Sequence, residues 1–179
     1  ILDDGTLARY ISDNSVTGLT SNPSIFDKAI SGSDLYDDSM TGTDAEAIFF
    51  DLAIDDLSRA ADLLRTAWDV TDGSDGCVSL EVSPLLAADA KTTVEQGTTI
   101  FKRMGRDNLL IKVPGTPEGA EAVEELIYRG VNVNVTLLFN ETQYRLAAEA
   151  YIRGIERRLE SGLDAKVFSV ASVFVSRWD

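Results

Sequence analysis

The chain has 179 residues, 44% of them hydrophobic, and this length suggests one domain with a sizeable core. A formal net charge of -14 argues against nucleic acids or anionic membranes as partners, although a few arginines or backbone amides can still bind a phosphate. One cysteine and no histidine exclude a disulfide framework and a Cys/His zinc site within the chain. We recognise no signal peptide or long apolar span, and therefore expect a soluble, cytoplasmic protein whose proton transfers use carboxylates, lysine, tyrosine or water.

Strand and helix patterns alternate along the first half of the chain. The residue before Pro23 is disfavoured in helical conformation, so a predicted strand ends there. Apolar positions at helical spacing predict one bent helix or two after a polar loop. In chain order the expected elements are a strand tail at Ile1–Asp4, a short helix at Leu7–Ser12, a strand at Val16–Asn22, a helix at Ser24–Ile30, a loop at 31–43 and the long helical stretch Asp44–Trp68.

The second half of the chain continues the alternation. The expected elements are a strand at Val78–Val82, a helix at Pro84–Arg103, a strand at Leu109–Val113, a helix at Pro117–Tyr128, a strand at Gly130–Leu138, a helix capped by Asn140 and running to about Leu159, and a strand at Lys166–Ser172. Six strands alternating with helices indicate an α/β fold with a parallel sheet and right-handed crossovers.

Each predicted strand carries a polar residue near its C-terminal end. In chain order these residues are Asp3, Asn22, Glu81, Lys112, Asn134 with Thr136, and Ser172. A closed β/α barrel brings its strand ends to one mouth, where the active site lies. We therefore predict that residues 1–179 form a single, incomplete (β/α)8 TIM-type barrel domain covering the first six units, with two further units beyond Asp179 in a longer polypeptide.

Lys112 is the residue in this set with the clearest chemical implication. It lies within the apolar run Leu109–Val113, which a Pro-Gly pair ends. A lysine inside such a strand either forms an ion pair with a carboxylate or loses its proton and becomes a nucleophile. A structural ion pair, or an edge-strand lysine pointing to solvent, remains the alternative to catalysis.

Six motifs in a fixed order resemble one enzyme family. They are Leu2-Asp3-Asp4, Thr20-Ser21-Asn22-Pro23-Ser24-Ile25-Phe26, Val78-Ser79-Leu80-Glu81-Val82, Leu110-Ile111-Lys112-Val113-Pro114, Gly130-Val131-Asn132-Val133-Asn134-Val135-Thr136-Leu137-Leu138-Phe139 and Ala171-Ser172-Val173-Phe174-Val175-Ser176-Arg177. Together they cover nearly the whole chain and resemble transaldolases, above all the longer, actinobacterial-type branch. The short connection from Asp4 to Gly5 departs from that pattern, as though residues were left out.

The resemblance implies a class I aldolase mechanism in a β/α barrel, without metal or cofactor. Lys112 matches the lysine that forms a Schiff base with a ketose phosphate, either fructose 6-phosphate or sedoheptulose 7-phosphate. Asp3 matches the carboxylate that removes the C4 hydroxyl proton during cleavage, and Glu81 with Thr136 matches the pair that holds a catalytic water. The expected enzyme transfers a dihydroxyacetone unit to an aldose phosphate in the non-oxidative pentose phosphate pathway.

The resemblance also implies substrate-binding residues. Asn22 and Asn134 match residues that bind hydroxyls of the dihydroxyacetone unit, while Ser172 and Phe174 line the same pocket. Arg177 matches an arginine that binds the substrate phosphate. The expected partners are small sugar phosphates, and the sequence leaves the oligomeric state, including a homo-oligomer, open.

Several alternatives remain at the level of sequence. Asp4 competes with Asp3 and Asn132 with Asn134, Glu81 could be only an ion-pair partner, and Arg177 could be a solvent-facing loop residue. Gly115 and Gly119 suggest a phosphate loop, but no Gly-Lys-Ser/Thr follows, so a turn and a helix start explain them better. The alternative functions are a fructose-6-phosphate aldolase-like lyase that releases dihydroxyacetone and a catalytically inactive sugar-phosphate-binding fragment.

Overall fold

A computed structural model of the chain describes residues 1–177, which form a parallel β-sheet with α-helices between the strands. The strands are β1 (Leu19–Thr20), β2 (Val78–Glu81), β3 (Leu109–Pro114), β4 (Val133–Leu138) and β5 (Ser169–Val173). The helices are α1 (Thr6–Asn14), α2 (Pro23–Ser31), α3 (Ala45–Val70), α4 (Ala90–Met104), α5 (Pro117–Tyr128) and α6 (Glu141–Glu160). Short 3-10 helices occupy Asp34–Ser39, Pro84–Leu86 and Val175–Arg177.

The strands lie in the sheet in their sequence order, β1-β2-β3-β4-β5. The pairs β1–β2, β3–β4 and β4–β5 are parallel. A doubly wound sheet reverses its strand order at a switch point, whereas a β/α barrel adds each strand beside the previous one. The sequential order therefore confirms the predicted α/β class and matches part of a (β/α)8 barrel.

Two compact units make up the chain. One consists of Ile1–Leu80 and Arg103–Leu109, and the other of Glu81–Lys102 and Leu110–Asp179. In the second unit, α5 and α6 approach closely at Gly154, where an added Cβ would lie 2.8 Å from the Glu124 carbonyl oxygen. This unit buries Val113, Val123, Leu126, Ile127 and Val133 completely, so the two strands β3 and β4 and the helix α5 share an apolar core.

The predicted strand at Ile1–Asp4 is wrong. In the described part of the chain these residues form irregular structure and a turn, so the sheet has five strands where six were expected. The Leu7 N–H donates to the Ile1 carbonyl at 2.9 Å, and Gly5 donates to Leu2 at 3.4 Å. The backbone amides of this segment therefore bond to carbonyls of the same segment, whereas a β-strand must pair with a neighbouring strand.

Most other boundaries lie close to the prediction. The stretch Asp44–Trp68 forms one helix, α3, capped by the Asp44 side chain, which accepts from the amides of Glu46 and Ala47. The predicted strand Val16–Asn22 shrinks to two residues, and the predicted loop at 31–43 contains a 3-10 helix. Among the helices in residues 1–177, none is both long and apolar enough to cross a membrane.

Candidate active site

Lys112 and Glu81 form an ion pair inside the second unit. All six positions of β3 are buried, and Lys112 is 8% exposed. Its Nζ lies 3.2 Å from Glu81 Oε2, at the C-terminal end of β2. The amide of Val82 donates to the Lys112 carbonyl at 3.2 Å, which fixes the two strand ends beside each other. Because burying an ammonium is costly without a counter-charge, Glu81 makes the buried position of Lys112 tenable.

Asn134 is placed beside Lys112 by the pairing of β3 with β4. The two residues are register partners, so their Cα atoms face each other across the ladder. The Ser172 hydroxyl donates to Asn134 Oδ1 at 2.9 Å, which joins β5 to the same group of polar residues. Four neighbouring strands, β2 to β5, thus each carry one of these polar residues; Glu81, Lys112 and Ser172 lie in the second half of their strands, whereas Asn134 is the second residue of β4.

Asn132 has a different position from Asn134. Its Oδ1 accepts from the amide of Phe168 at 2.9 Å, and its carbonyl accepts from Ile111 at 2.9 Å. These bonds join the beginnings of β3, β4 and β5, at the opposite end of the strands from Glu81. These bonds give Asn132 a structural use in the sheet, and Asn134 is the register partner of Lys112. The choice of Asn134 over Asn132 as a substrate-binding residue stays a prediction.

Thr136 is buried, with 3% exposure, and immediately precedes a β-bulge. Val135 pairs with Ala171 and Leu138 with Val173, so β4 carries one extra residue at this point. The bulge contains Leu137, whose φ of 59° lies in the left-handed region that non-glycine residues rarely adopt. Bulges redirect side chains next to functional sites, and nothing in the Val-Thr-Leu-Leu sequence signals one here.

Phe174 and Arg177 follow β5. The Phe174 ring packs against Phe139 with centroids 5.5 Å apart, and its amide donates to the Leu138 carbonyl at 2.8 Å. Arg177 ends the 3-10 helix Val175–Arg177 and is exposed. Phe174 is therefore fixed beside the end of β4, whereas Arg177 lies at the surface.

Asp3 and Asn22 belong to the first compact unit. Asp3 forms an ion pair with Arg59, while Asp4 accepts from the Thr6 amide at 2.8 Å at the beginning of α1. That hydrogen bond lowers the pKa of Asp4. The Asn22 side chain caps α2 by accepting from Ile25 at 2.9 Å. Asp4 and Asn22 thus each bond to a backbone amide close to them in the sequence. Asp3, in contrast, pairs with Arg59, which is distant in the sequence.

Asp3 lines a cavity of about 360 Å³ in this unit. Tyr36 and Asp56 also line it, and the Tyr36 hydroxyl donates to Asp56 Oδ2 at 2.8 Å. Burial and this hydrogen bond raise the pKa of Tyr36 to about 12. The phenol therefore stays protonated and acts as a hydrogen-bond donor on the cavity wall.

Two glutamines that the sequence did not predict as site residues hold the loops after β2, β3 and β4. Gln96 Oε1 accepts from the Ser83 amide at 2.6 Å, just after β2. Gln143 contacts the loops after both β3 and β4. The position of Gln96 within α4 gave no signal, because its contact connects residues 13 apart in the sequence. Gln143 stands three residues after the N-cap Asn140, a spacing typical of a glutamine that bonds back to the backbone before the helix, but its contact with Gly115 has no such signal. In residues 1–177 no group of three or more His, Cys, Asp or Glu side chains is arranged to hold a metal ion.

Comparison with known proteins identifies the family. The family profile described as Transaldolase/Fructose-6-phosphate aldolase matches residues 2–179. The chain is 41% identical over 185 residues to Transaldolase 2 of Nostoc punctiforme, covering 100% of this chain and 49% of that protein. It is 44% identical over 185 residues to Transaldolase of Thiobacillus denitrificans, covering 100% of this chain and 52% of that protein.

A third relative, Transaldolase 2 of Streptomyces avermitilis, is 45% identical over 184 residues, covering 99% of this chain and 50% of that protein. The chain thus spans about half the length of the curated relatives it matches. The profile match and these identities extend along nearly all of its 179 residues, which confirms the resemblance drawn from the six motifs. The chain belongs to the transaldolase/fructose-6-phosphate aldolase family.

Proposed function

We propose that this chain carries the lysine-bearing part of a transaldolase. The enzyme transfers a dihydroxyacetone unit from fructose 6-phosphate or sedoheptulose 7-phosphate to an aldose phosphate, in the non-oxidative pentose phosphate pathway. The observation that carries the proposal is the buried Lys112–Glu81 pair at the end of β3 in a member of this family. The single cysteine supports a cytoplasmic location, which is part of the proposal.

Lys112 Nζ is the proposed nucleophile. In its unprotonated form it adds to the C2 carbonyl of the ketose phosphate, and loss of water from the carbinolamine gives a protonated imine. Glu81 lies 3.2 Å from Nζ. It exchanges protons with the carbinolamine during the loss of water, through a water molecule that it shares with Thr136. The buried surroundings of β3 support this role, because excluding bulk water protects the imine from hydrolysis.

Carbon–carbon cleavage follows from the same imine. Asp3 removes the C4 hydroxyl proton, the C3–C4 bond breaks, and its electron pair moves into the imine to give an enamine on Lys112. The aldose phosphate leaves, and the three-carbon unit stays attached until an acceptor aldehyde arrives. Asn134, held by Ser172, and Asn22 bind its hydroxyls as neutral hydrogen-bonding groups.

Phe174 and Arg177 complete the proposed site. Phe174 forms an apolar wall, supported by Phe139, and the exposed Arg177 guanidinium binds the substrate phosphate as a planar, permanently charged donor. The family includes fructose-6-phosphate aldolases as well, so a lyase that releases free dihydroxyacetone is the second candidate. Product formation that depends on an added aldose phosphate acceptor distinguishes the transferase from the lyase.

Borohydride trapping tests the proposal. The protein is incubated with fructose 6-phosphate, reduced with borohydride, digested and analysed by mass spectrometry. We expect a reduced three-carbon adduct on the peptide that contains Lys112, because cleavage leaves the dihydroxyacetone unit on the lysine. Lys91 is an internal control, since its side chain is 86% exposed and ion-paired with Glu95 but lies in no strand.

The variant Lys112→Met separates specific from general labelling. It keeps an unbranched side chain of similar length and removes the amine, so the adduct should disappear, and the unfolding midpoint should fall because Glu81 is left buried without its counter-charge. A folded protein that gives no adduct on Lys112, or equal labelling of Lys91, would contradict the transaldolase proposal and favour an inactive sugar-phosphate-binding protein.

A further inference from the structure

Gln143 connects the two loops that follow the strands of Lys112 and Thr136. It lies in the first turn of α6, where its side chain is half-buried. Its Nε2 donates to the Gly115 carbonyl at 3.0 Å, and its Oε1 accepts from the Phe139 amide at 2.9 Å. Gly115 lies three residues after Lys112, and Phe139 three residues after Thr136. One amide group thus bridges the ends of β3 and β4.

The bridge acts on a tightly packed segment. Gly115 donates its own N–H to the Thr136 carbonyl at 2.8 Å. The N–H of Gly115 is thus held by β4 and its carbonyl by Gln143. A Cβ at this position would lie 2.4 Å from Leu138 Cδ2, which shows how closely the β3 end approaches the bulge in β4. A shift of Gly115 therefore disturbs its contacts with both Thr136 and Leu138.

We propose that Gln143 is a positioning residue whose amide fixes the separation of the β3 and β4 ends, and thereby places Lys112 relative to Asn134 and Thr136. The expected effect of Gln143 on the reaction of Lys112 rests on the proposed function. The expected effect of Gln143 on the two loops does not depend on that function. The bridge needs an amide, because the two contacts require one donor and one acceptor on the same planar group. A carboxylate at this position accepts from Phe139 and repels the Gly115 carbonyl.

Three variants test the inference. Gln143→Met keeps the length of the side chain and removes both contacts, and Gln143→Glu keeps only the acceptor. Tyr151→Phe is the matched control, since the Tyr151 hydroxyl on the same helix donates to the Val167 carbonyl at 3.1 Å, before β5 begins. Each of the three removes at least one side chain–backbone hydrogen bond made by α6, but only the Gln143 variants act at the ends of β3 and β4.

Two measurements separate positioning from general stabilisation. The first is the rate of borohydride-trappable adduct formation on Lys112 with fructose 6-phosphate, which we expect to fall by about tenfold to a hundredfold in Gln143→Met and to change little in Tyr151→Phe. The second uses no substrate and measures amide hydrogen exchange by NMR. The Phe139 amide should exchange about tenfold faster or more in Gln143→Met, while it stays protected in Gln143→Glu and Tyr151→Phe.

The outcomes distinguish this inference from the proposed function. If the unaltered protein forms no adduct, the proposed function fails, and the exchange of the Phe139 amide still decides whether Gln143 holds the loop. Unchanged exchange in Gln143→Met would overturn the inference. So would an adduct rate that falls equally in Tyr151→Phe and Gln143→Met, because this would mean that any loss of stability has the same effect.

Discussion

At the scale of single residues, the placement of Lys112 depends on burial and counter-charge acting together. The side chains of Lys112 and Glu81 are 10% and 15% exposed, so both charges lie largely outside bulk water. Replacing such a pair by apolar groups is often neutral or stabilising in other proteins, and stability alone is therefore a weak reason for its presence. This supports a chemical role for the pair.

The variant Glu81→Gln tests that role. It preserves the shape of the side chain and removes its ability to accept a proton, so we expect imine formation on Lys112 to slow by about 10²- to 10⁴-fold. The measurement is single-turnover borohydride trapping over a series of quench times, with the free energy of urea unfolding determined in parallel. An unchanged trapping rate in a stable variant would mean that Glu81 is only a structural ion-pair partner.

Contacts of single residues also explain the glycines that suggested a phosphate loop. Thr116 caps α5 by accepting from the Gly119 amide at 2.9 Å, and Pro117 begins the helix. A Cβ on Gly119 would lie 1.9 Å from the Pro114 carbonyl oxygen, which leaves room for glycine alone. These contacts support the interpretation of Gly115 and Gly119 as a turn and a helix start.

At the scale of elements, α5 and α6 are held together by an ion-pair network on their outer side. Glu124 accepts from Arg153 at 2.7 Å and from Arg157 at 3.1 Å, and Arg157 also bonds Glu125 at 2.8 Å. Arg157 lies over the Tyr128 ring, 4.3 Å from its centroid. The hydrogen bond from Arg153, followed by that from Arg157, lowers the pKa of Glu124 below its ordinary value of 4.5.

This pKa shift gives the stability of the protein a defined pH dependence. Because the unfolded chain binds a proton at Glu124 before the folded protein does, the stabilisation is present above about pH 4.5 and is lost as the pH falls through the lower folded-state pKa. Glu124→Gln should therefore lower the free energy of unfolding by roughly 0.5–1 kcal/mol near neutral pH, and by less in acid.

Urea denaturation of both proteins across the acid range measures this difference. Glu121→Gln serves as the control, because Glu121 is an exposed residue on the same helix. A Glu124→Gln effect that stays constant from neutral to acid pH would contradict the assignment.

At the scale of the whole molecule, β1 and β5 are the outer strands of the sheet formed by residues 1–177. In β5, Val170 and Val173 are 47% and 37% exposed. Outer strands with exposed apolar side chains pair readily with other chains, and a formal net charge of -14 opposes that association. The balance between these two effects depends on salt, because salt screens charge repulsion but leaves apolar contacts intact.

We predict that a polypeptide of residues 1–179 alone self-associates through β5 as its concentration or the salt concentration rises. Val170→Lys places a charge on the outer strand and should shift sedimentation-velocity profiles towards the monomer. Val70→Lys is the matched control, since Val70 is 77% exposed but ends a helix. Equal effects of the two variants, or a monomer under all conditions, would exclude association through β5.

The amino-acid sequence was sufficient to predict the alternation of elements and the polar residues that the site strands carry. Apolar runs ending in turn residues located β2 to β5 to within a few residues, and the cap Asn140 and the residue Pro117 marked the beginnings of α6 and α5. The six motifs identified the family through their residues and their fixed order along the chain. These features are encoded locally, in side-chain polarity and backbone preference, so a reading of neighbours along the chain recovers them.

Which of these residues meet became clear from the folded chain. It placed Lys112 3.2 Å from Glu81, separated Asn134 from Asn132, introduced the bulge at Leu137 and joined two loops through Gln143. It also showed that Ile1–Asp4 forms a turn. Strand pairing, bulges and side chain–backbone bridges depend on partners distant in sequence, and their free energies arise only when those partners are brought together.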